Sequence, residues 1–213
     1  MDATIANLRR EYAKQALDEQ SVAAEPLAQF RIWFDAALAS GIVEPNAMLL
    51  STADADGRPS ARVVLLKDID DRGLSFYTNY NSRKADDIAA NPRVSLTFWW
   101  QELERQVRVE GRAEQLAESE SDLYFASRPR GSRLGAWASP QSAVVTSREE
   151  LEHALEEVET RFGDGDVARP PHWGGYRVVP DVVEFWQGRP ARLHDRIRYR
   201  RSSDKWLIER LAP

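Results

Sequence analysis

The sequence predicts a mainly β protein, an antiparallel barrel with helices at its periphery. Three observations predict it. Short runs rich in β-branched and aromatic residues are set off by Asp, Gly and Pro turn signals. Helical patterns are inserted among these runs rather than alternating with them, and no internal repeat or low-complexity tract is present. At 213 residues the chain suits one such barrel. Residues 1–20 are expected as a separate N-terminal segment and 21–213 as a single domain.

Each element has a local reason. Residues 4–19 read as a polar helix, loosely attached. Pro26 then opens a helix whose stripe is Leu27, Phe30, Phe34, Ala37 and Leu38, ended by Gly41. Runs 47–53 and 60–67 flank the turn sequence 54–59 and predict a hairpin. A second turn at 70–73 precedes a strand over 74–79. A helix over 83–90 stops before Asn91-Pro92, because the residue before proline is pushed out of helical geometry. Strands follow over 93–101 and 104–116, then a helix over 119–127 and a donor-rich loop, Arg128–Ser132. Ser147 with Glu150 spells a capping box for a helix carrying Leu151, Leu155, Val158 and Phe162. Strands over 174–179, 182–187, 191–200 and 205–210 close the chain.

Composition narrows the function. With 42% apolar residues a core can form, and with no cysteine there is no disulfide, thiolate metal site or cysteine nucleophile. Apolar runs such as Val63–Leu66 are too short to span a bilayer, and Leu8-Arg9-Arg10-Glu11-Tyr12 is charged where a signal peptide needs an apolar stretch. The expected setting is cytoplasmic. Net charge is −5, which disfavours a nucleic-acid binder, since such affinity needs a broad basic field. Of 29 basic residues only Lys14, Lys67, Lys84 and Lys205 are lysine. Local arginine clusters on an acidic protein suit small phosphorylated ligands.

Several constellations carry chemistry. If residues 191–200 are extended, Arg192, His194 and Arg196 share one strand face, with Leu193 and Asp195 on the other. By themselves these five residues fit a surface strand of scattered charge; alongside the constellations below, two guanidiniums flanking an imidazole read as an anion-recognition surface, with a proton available near neutral pH. Arg62 and Lys67 bracket the apolar run Val63, Val64, Leu65 and Leu66. Their odd spacing points them to opposite faces, so they serve different ligands, or the strand coils, or they are salt-bridged strand ends. Tyr77 and Thr78 lead into Ser82, Arg83 and Lys84 at a helix start. Ser82 serves there as a cap or as an anion ligand. Two cations in a first turn oppose the helix dipole and call for a compensating anion. Gln106 and Arg108 share one strand face, either solvated or functional. Tyr124, Arg128 and Ser132 are spaced by four and converge across a helix end, since Pro129 interrupts it. Gln141 and Ser142 form a polar pair in a loop, and Trp186 beside a charged strand is suited to edge a flat aromatic group. His153 reads as exposed, and His172, after Pro170-Pro171 and before Trp173-Gly174-Gly175, as structural in a tight turn. No histidine pair has metal-ligand spacing, and phosphate-loop, nucleophile-elbow and dinucleotide-binding motifs are missing.

Nine blocks in order resemble the pyridoxine (pyridoxamine) 5′-phosphate oxidase family. They are Arg62–Lys67, Phe76–Ala85, Leu103–Arg108, Tyr124-Phe125 with Arg128-Pro129, Gly135–Ser139 with Gln141-Ser142, Arg169–Gly175, Glu184–Gly188, Arg192–Arg196 and Glu209–Pro213. The resemblance runs from Glu25 to the C-terminus, and Leu8–Tyr12 is similar to the family's N-terminal substrate-covering segment. Trp99-Trp100 departs slightly from the usual pattern.

What the resemblance implies is an FMN-binding split β-barrel, a homodimer with FMN at its interface. FMN contacts would fall on Arg62, Val63, Val64, Leu65, Leu66, Lys67, Tyr77, Thr78, Arg83, Lys84, Gln106, Gln141, Ser142, Trp186 and Arg196. Lys67, Tyr124, Arg128 and Ser132 would hold the substrate phosphate. Arg192 and His194 would sit against the pyridine ring as catalytic residues, with Arg9 and Tyr12 closing over it. The implied reaction oxidises pyridoxine or pyridoxamine 5′-phosphate at C4′, with hydride passing to flavin N5 and O2 becoming H2O2. No metal, membrane or nucleic acid is implied.

Overall fold

The computed structural model describes residues 11–203 and 205–213. Among them are five α-helices: α1 (Pro26–Ala39), α2 (Arg83–Ala90), α3 (Glu118–Ser127), α4 (Arg130–Ala138) and α5 (Arg148–Phe162). The strands are β1 (Ala47–Ala53), β2 (Pro59–Leu65), β3 (Asp68–Ile69), β4 (Leu74–Asn79), β5 (Arg93–Trp100), β6 (Arg105–Gln115), β7 (Trp173–Gln187), β8 (Asp195–Ser202) and β9 (Lys205–Arg210). Their hydrogen-bonded order is β2-β1-β5-β6-β7-β4-β3, with β8 beside β7 and β9 beside β8. No described helix is long and apolar enough to cross a membrane.

The chain forms two compact units. One comprises Met1–Leu49, Ser95–Gly111 and Pro180–Pro213; the other comprises Leu50–Val94 and Arg112–Val179. Strands β1, β5, β6 and β7 each run from one unit into the other.

In the first unit, α1 lays Phe30 against Phe98 (centroids 4.9 Å apart) and Trp33 edge-on against Phe185 (5.2 Å). Phe185 in turn meets Tyr199 at 5.6 Å, and the Tyr199 hydroxyl donates to Ala23 O at 2.6 Å. Burying an aromatic ring needs such a partner for its polar end. The buried face of α1 is Pro26, Gln29, Phe30, Trp33 and Ala37. Leu38, expected in the stripe, is 56% exposed. Trp33 takes the inner position because it continues the 26, 29/30, 37 helical spacing.

In the second unit, β4 pairs antiparallel with β7, placing Phe76 opposite Tyr176 and Tyr77 opposite Gly175. A second cluster of Phe125, Leu134, Val167 and Trp173 ties α3, α4 and α5 to the start of β7. Buried Arg177 is neutralised by Asp70 (2.9 Å) and Glu120 (3.0 Å), which pins the turn before β4.

Five expectations are corrected. Residues 11–19, the described part of the expected 4–19 helix, form no helix; their amides go to distant carboxylates instead. Strands 174–179 and 182–187 are one continuous strand. The Arg128–Ser132 loop is shorter than expected, since α4 starts at Arg130. Glu150 does not bond Ser147; its Oε2 accepts from Thr146 N (2.8 Å) and Thr146 Oγ1 (2.7 Å), one residue upstream. Most consequentially, β8 begins only at Asp195. Residues Pro190–Arg192 form a tight turn with Ala191 (φ 54°) and Arg192 (φ 61°) both left-handed. Strand alternation therefore does not place Arg192 and His194.

Candidate functional site

Two groups of side chains stand out, one in each unit. The second unit contains a cavity of about 860 Å³. It is lined from β2 by Ser60, Ala61, Arg62, Val63, Val64 and Leu65, and just beyond by Lys67. From β4 and α2 come Tyr77, Thr78, Arg83 and Lys84. Tyr124, Arg128, Pro129, Ser132, Gln141, Ser142 and Trp173 complete the wall. Five of these residues are cations and none is a carboxylate.

Lys84 is the most telling of them. Its Nζ is buried and donates to Gln141 Oε1 (2.7 Å), Ser82 Oγ (3.0 Å) and Thr78 Oγ1 (3.1 Å). Among the described residues no carboxylate pairs with it. Burial, aided by the nearby Arg62 charge, lowers its pKa from 10.5 to about 8. A buried ammonium so penalised favours an incoming anion. Arg62 is aimed from β2 by bonds to Thr52 Oγ1 (2.8 Å), Ser60 Oγ (2.8 Å) and Leu50 O (3.3 Å), with Asp87 3.7 Å away.

Arg128 is held differently. Its guanidinium lies 4.5 Å over the Trp173 ring and 5.4 Å from that of Phe125. Its Nη1 is buried without a hydrogen-bond partner, and burial lowers its pKa. An orphaned buried donor is costly, so it marks a place where an acceptor belongs. Beside it Tyr77 stacks on Tyr124 at 3.9 Å and on Trp173 at 5.6 Å. Burial pushes the Tyr77 hydroxyl up to about 12, so it stays protonated. Gly175 permits this stack: a Cβ there would lie 2.8 Å from Tyr77 Cε1. His172 sits in the expected tight turn, closed by Trp173 N donating to Pro170 O (3.1 Å), with its Nε2 3.2 Å from Ala136 O; Trp173-Gly174-Gly175 then begin β7.

The second group lies in the first unit. The His194 ring is 4.6 Å from Trp186, and Tyr12 meets both edge-on, at 5.8 and 5.7 Å. Trp99 borders Trp186 at 5.9 Å. The left-handed turn at 191–192 folds the chain back so that the Arg189 N–H donates to His194 Nδ1 (3.1 Å). That bond fixes the tautomer: Nδ1 accepts, so Nε2 carries the proton. Burial and the Arg192 charge lower the His194 pKa, against the pull of Asp195, so the neutral ring is favoured. Arg196 grips Glu184 with Nε (2.9 Å) and Nη2 (3.1 Å) and donates to Ala212 O (2.8 Å).

A family model described as Pyridoxamine 5′-phosphate oxidase matches residues 34–162, and one described as Pyridoxine 5′-phosphate oxidase C-terminal dimerisation region matches 173–213. The chain belongs to the pyridoxine/pyridoxamine 5′-phosphate oxidase family. It is 54% identical over 213 residues to the Pyridoxine/pyridoxamine 5′-phosphate oxidase of a Cyanothece species, covering 100% of each chain. Its identity to the protein of that name from Burkholderia lata is 58%, covering 99% of each. The solved structure of PhzG from the same strain, Burkholderia lata 383, in complex with tetrahydrophenazine-1-carboxylic acid, superimposes with a TM-score of 0.89. That likeness is at 33% identity and covers 94% of this chain and 99% of PhzG. A pyridoxamine 5′-phosphate oxidase-related, FMN binding protein from Nostoc punctiforme shares the fold, with a TM-score of 0.71 at 18% identity over 90% of this chain. The fold is thus the FMN-binding split barrel of this oxidase family.

Most of the residues expected from sequence converge. Arg62, Val63, Val64, Leu65, Lys67, Tyr77, Thr78, Arg83, Lys84, Tyr124, Arg128, Ser132, Gln141 and Ser142 all line the cavity. Arg62 and Lys67 do so together because β2 ends at Leu65, before their odd spacing takes effect. Leu66 is buried and does not line it. Tyr12, Trp186 and His194 meet in the other group, whose unit also holds Gln106, Arg192 and Arg196. Arg9 lies outside the described residues. Sequence reasoning passed over Ser60, Ala61, Pro129 and Trp173 in the cavity wall. Ser60 could have been found, since it sits two residues before Arg62 on the same strand face.

Proposed function

We propose that this chain is an FMN-dependent oxidase that converts pyridoxine and pyridoxamine 5′-phosphates to pyridoxal 5′-phosphate, as a homodimer with FMN at the subunit interface. The observation that carries the reading is the carboxylate-free cationic cavity, with one buried ammonium and one orphaned guanidinium nitrogen. Its donors fit the group: Arg62, Thr78, Arg83 and Lys84 would hold the FMN phosphate. Lys67, Tyr124, Arg128 and Ser132 would hold that of the substrate, and Gln106, Gln141, Ser142, Trp186 and Arg196 complete the flavin contacts. Bound there, FMN would supply the two-electron redox chemistry, accepting a hydride equivalent from C4′ with dioxygen as the final acceptor.

The chain's own residues bind, orient and polarise. Clamping the substrate phosphate fixes the ring's distance from the flavin, which converts an encounter into a positioned reaction. Arg192 and the Nε2–H of His194 steady negative charge on the pyridine 3-oxygen, with Arg9 and Tyr12 closing over the ring. Identity of 58% to the Burkholderia lata vitamin-phosphate oxidase, against 33% to PhzG of the same strain, supports the vitamin substrate over a phenazine precursor.

The deciding experiment is anaerobic. The purified protein should show a flavin spectrum that bleaches when pyridoxine 5′-phosphate is added without oxygen and recovers when air is admitted. A bound flavin indifferent to both vitamin phosphates would refute the reading. A second expectation follows from the tautomer. His194→Ala should lower kcat by about 10- to 100-fold, as loss of a preorganised donor does. His194→Gln, which keeps an N–H, should recover part of it. Equal kcat values for wild type and His194→Ala, from steady-state peroxide assays, would remove His194 from the chemistry.

A further inference from the structure

Residues 12–17 form neither helix nor strand, and the chain bends at Lys14. Their backbone polar groups are met by side chains from elsewhere in the same unit. Glu104 Oε2 accepts from Ala13 N (2.9 Å) and Lys14 N (3.1 Å). Asp195 Oδ2 accepts from Leu17 N (3.1 Å). Arg189 Nη1 donates to Gln15 O and Arg210 Nη2 to Leu17 O, both at 3.1 Å. Leu17 is the buried apolar anchor. At the other end Tyr12 packs on Trp186 and His194. It lies so close to β7 that a Cβ on Gly188 would be 2.7 Å from Tyr12 Cβ.

Glu104 is the singular member of this set. It is 2% exposed and left-handed (φ 54°), and its own carbonyl is pinned by Gly188 N (2.8 Å) and Gln187 Nε2 (3.2 Å). Among the described residues its carboxylate has no cationic partner; the two amides of the 12–17 segment are what it bonds. A buried carboxylate satisfied only by backbone N–H groups is strongly bound to them, and costly if they leave.

We propose that Glu104 is a positioning residue, the latch that fastens the 12–17 segment so that Tyr12 forms a wall of the ring-binding site beside His194. The proposal rests on the reading that His194 faces the substrate ring. The Glu104 carboxylate is occupied by the Ala13 and Lys14 amides, so it acts through the segment.

The test uses FMN-loaded full-length protein as wild type, Glu104→Gln, Tyr12→Ala and the double variant. Hydrogen exchange of the peptide spanning 11–17 reads the latch, and steady-state kinetics with pyridoxine 5′-phosphate read its effect. Glu104→Gln keeps the shape and loses the charge. It should speed exchange at Ala13 and Lys14 by about tenfold or more. KM should rise about fivefold, with kcat changed less than about twofold. Tyr12→Ala should raise KM at least as much, and the double variant should be no worse than Tyr12→Ala, since both act through one contact. Unchanged exchange in Glu104→Gln would overturn the latch. Faster exchange without a KM change, or additive KM effects, would overturn its positioning role. Should wild type fail to turn over pyridoxine 5′-phosphate at all, the proposed function falls, and the exchange measurement still decides the latch by itself.

Discussion

Replacing Lys84 by methionine is expected to weaken FMN binding about 100-fold at neutral pH, leaving a purified protein with little colour. The ammonium supplies charge-assisted hydrogen bonds worth roughly 1.5–3 kcal/mol each, and loss of one or two spans that range. Folding should survive, because burial already penalises the charged form of Lys84. Its folded pKa, about 8, lies below the ordinary 10.5. The folded apo protein therefore binds fewer protons between those values, and its stability rises with pH across that window. Phosphate binding prefers the ammonium, so FMN affinity should run the opposite way and fall as pH climbs above about 8. Fluorescence titration of apo protein with FMN from about pH 7 to about pH 9 would read the affinity, and urea unfolding of the apo protein over the same range the stability. The methionine variant should lose the pH dependence along with the affinity. A wild-type affinity flat across that range would take Lys84 out of the phosphate site.

Arg128→Ala should act on the substrate and spare the cofactor. Removing a fork that donates two charge-assisted bonds should raise KM for pyridoxine 5′-phosphate by about 100-fold. FMN affinity should stay within about twofold of wild type, since uniform loss at one phosphate leaves the other untouched. Comparing pyridoxine with its phosphate sharpens the test. Wild type should strongly prefer the phosphorylated form, and the variant should lose most of that preference. Arg128→Lys should restore only part, because an ammonium cannot reproduce a planar fork lying over Trp173. If the preference for the phosphate persisted in Arg128→Ala, another residue would be its anchor.

The cationic cavity was legible in the sequence because its residues sit where local rules apply. Arg83 and Lys84 in a helix's first turn announce an anion, and the strand-turn-strand pattern at 47–65 places Arg62. The ring-side group was legible through the family resemblance and not through local geometry. Period-two alternation puts Arg192, His194 and Arg196 on one face, but the chain spends residues 190–192 on a left-handed turn before β8 begins. Two consecutive non-glycine residues at positive φ are costly locally and have no sequence signature. Their effect, the Arg189 N–H against His194 Nδ1, could be seen only in three dimensions. The 11–19 segment failed for a related reason. Its polar, helix-prone residues predict a helix, yet Glu104 and Asp195, some 90 and 180 positions away in sequence, claim its amides. Long-range partners of that kind override local propensity.

Because β1, β5, β6 and β7 each pass from one unit into the other, neither unit is a contiguous stretch of gene. Exchange of one contiguous gene segment cannot replace the whole unit that holds the cationic cavity while keeping the whole unit that carries His194.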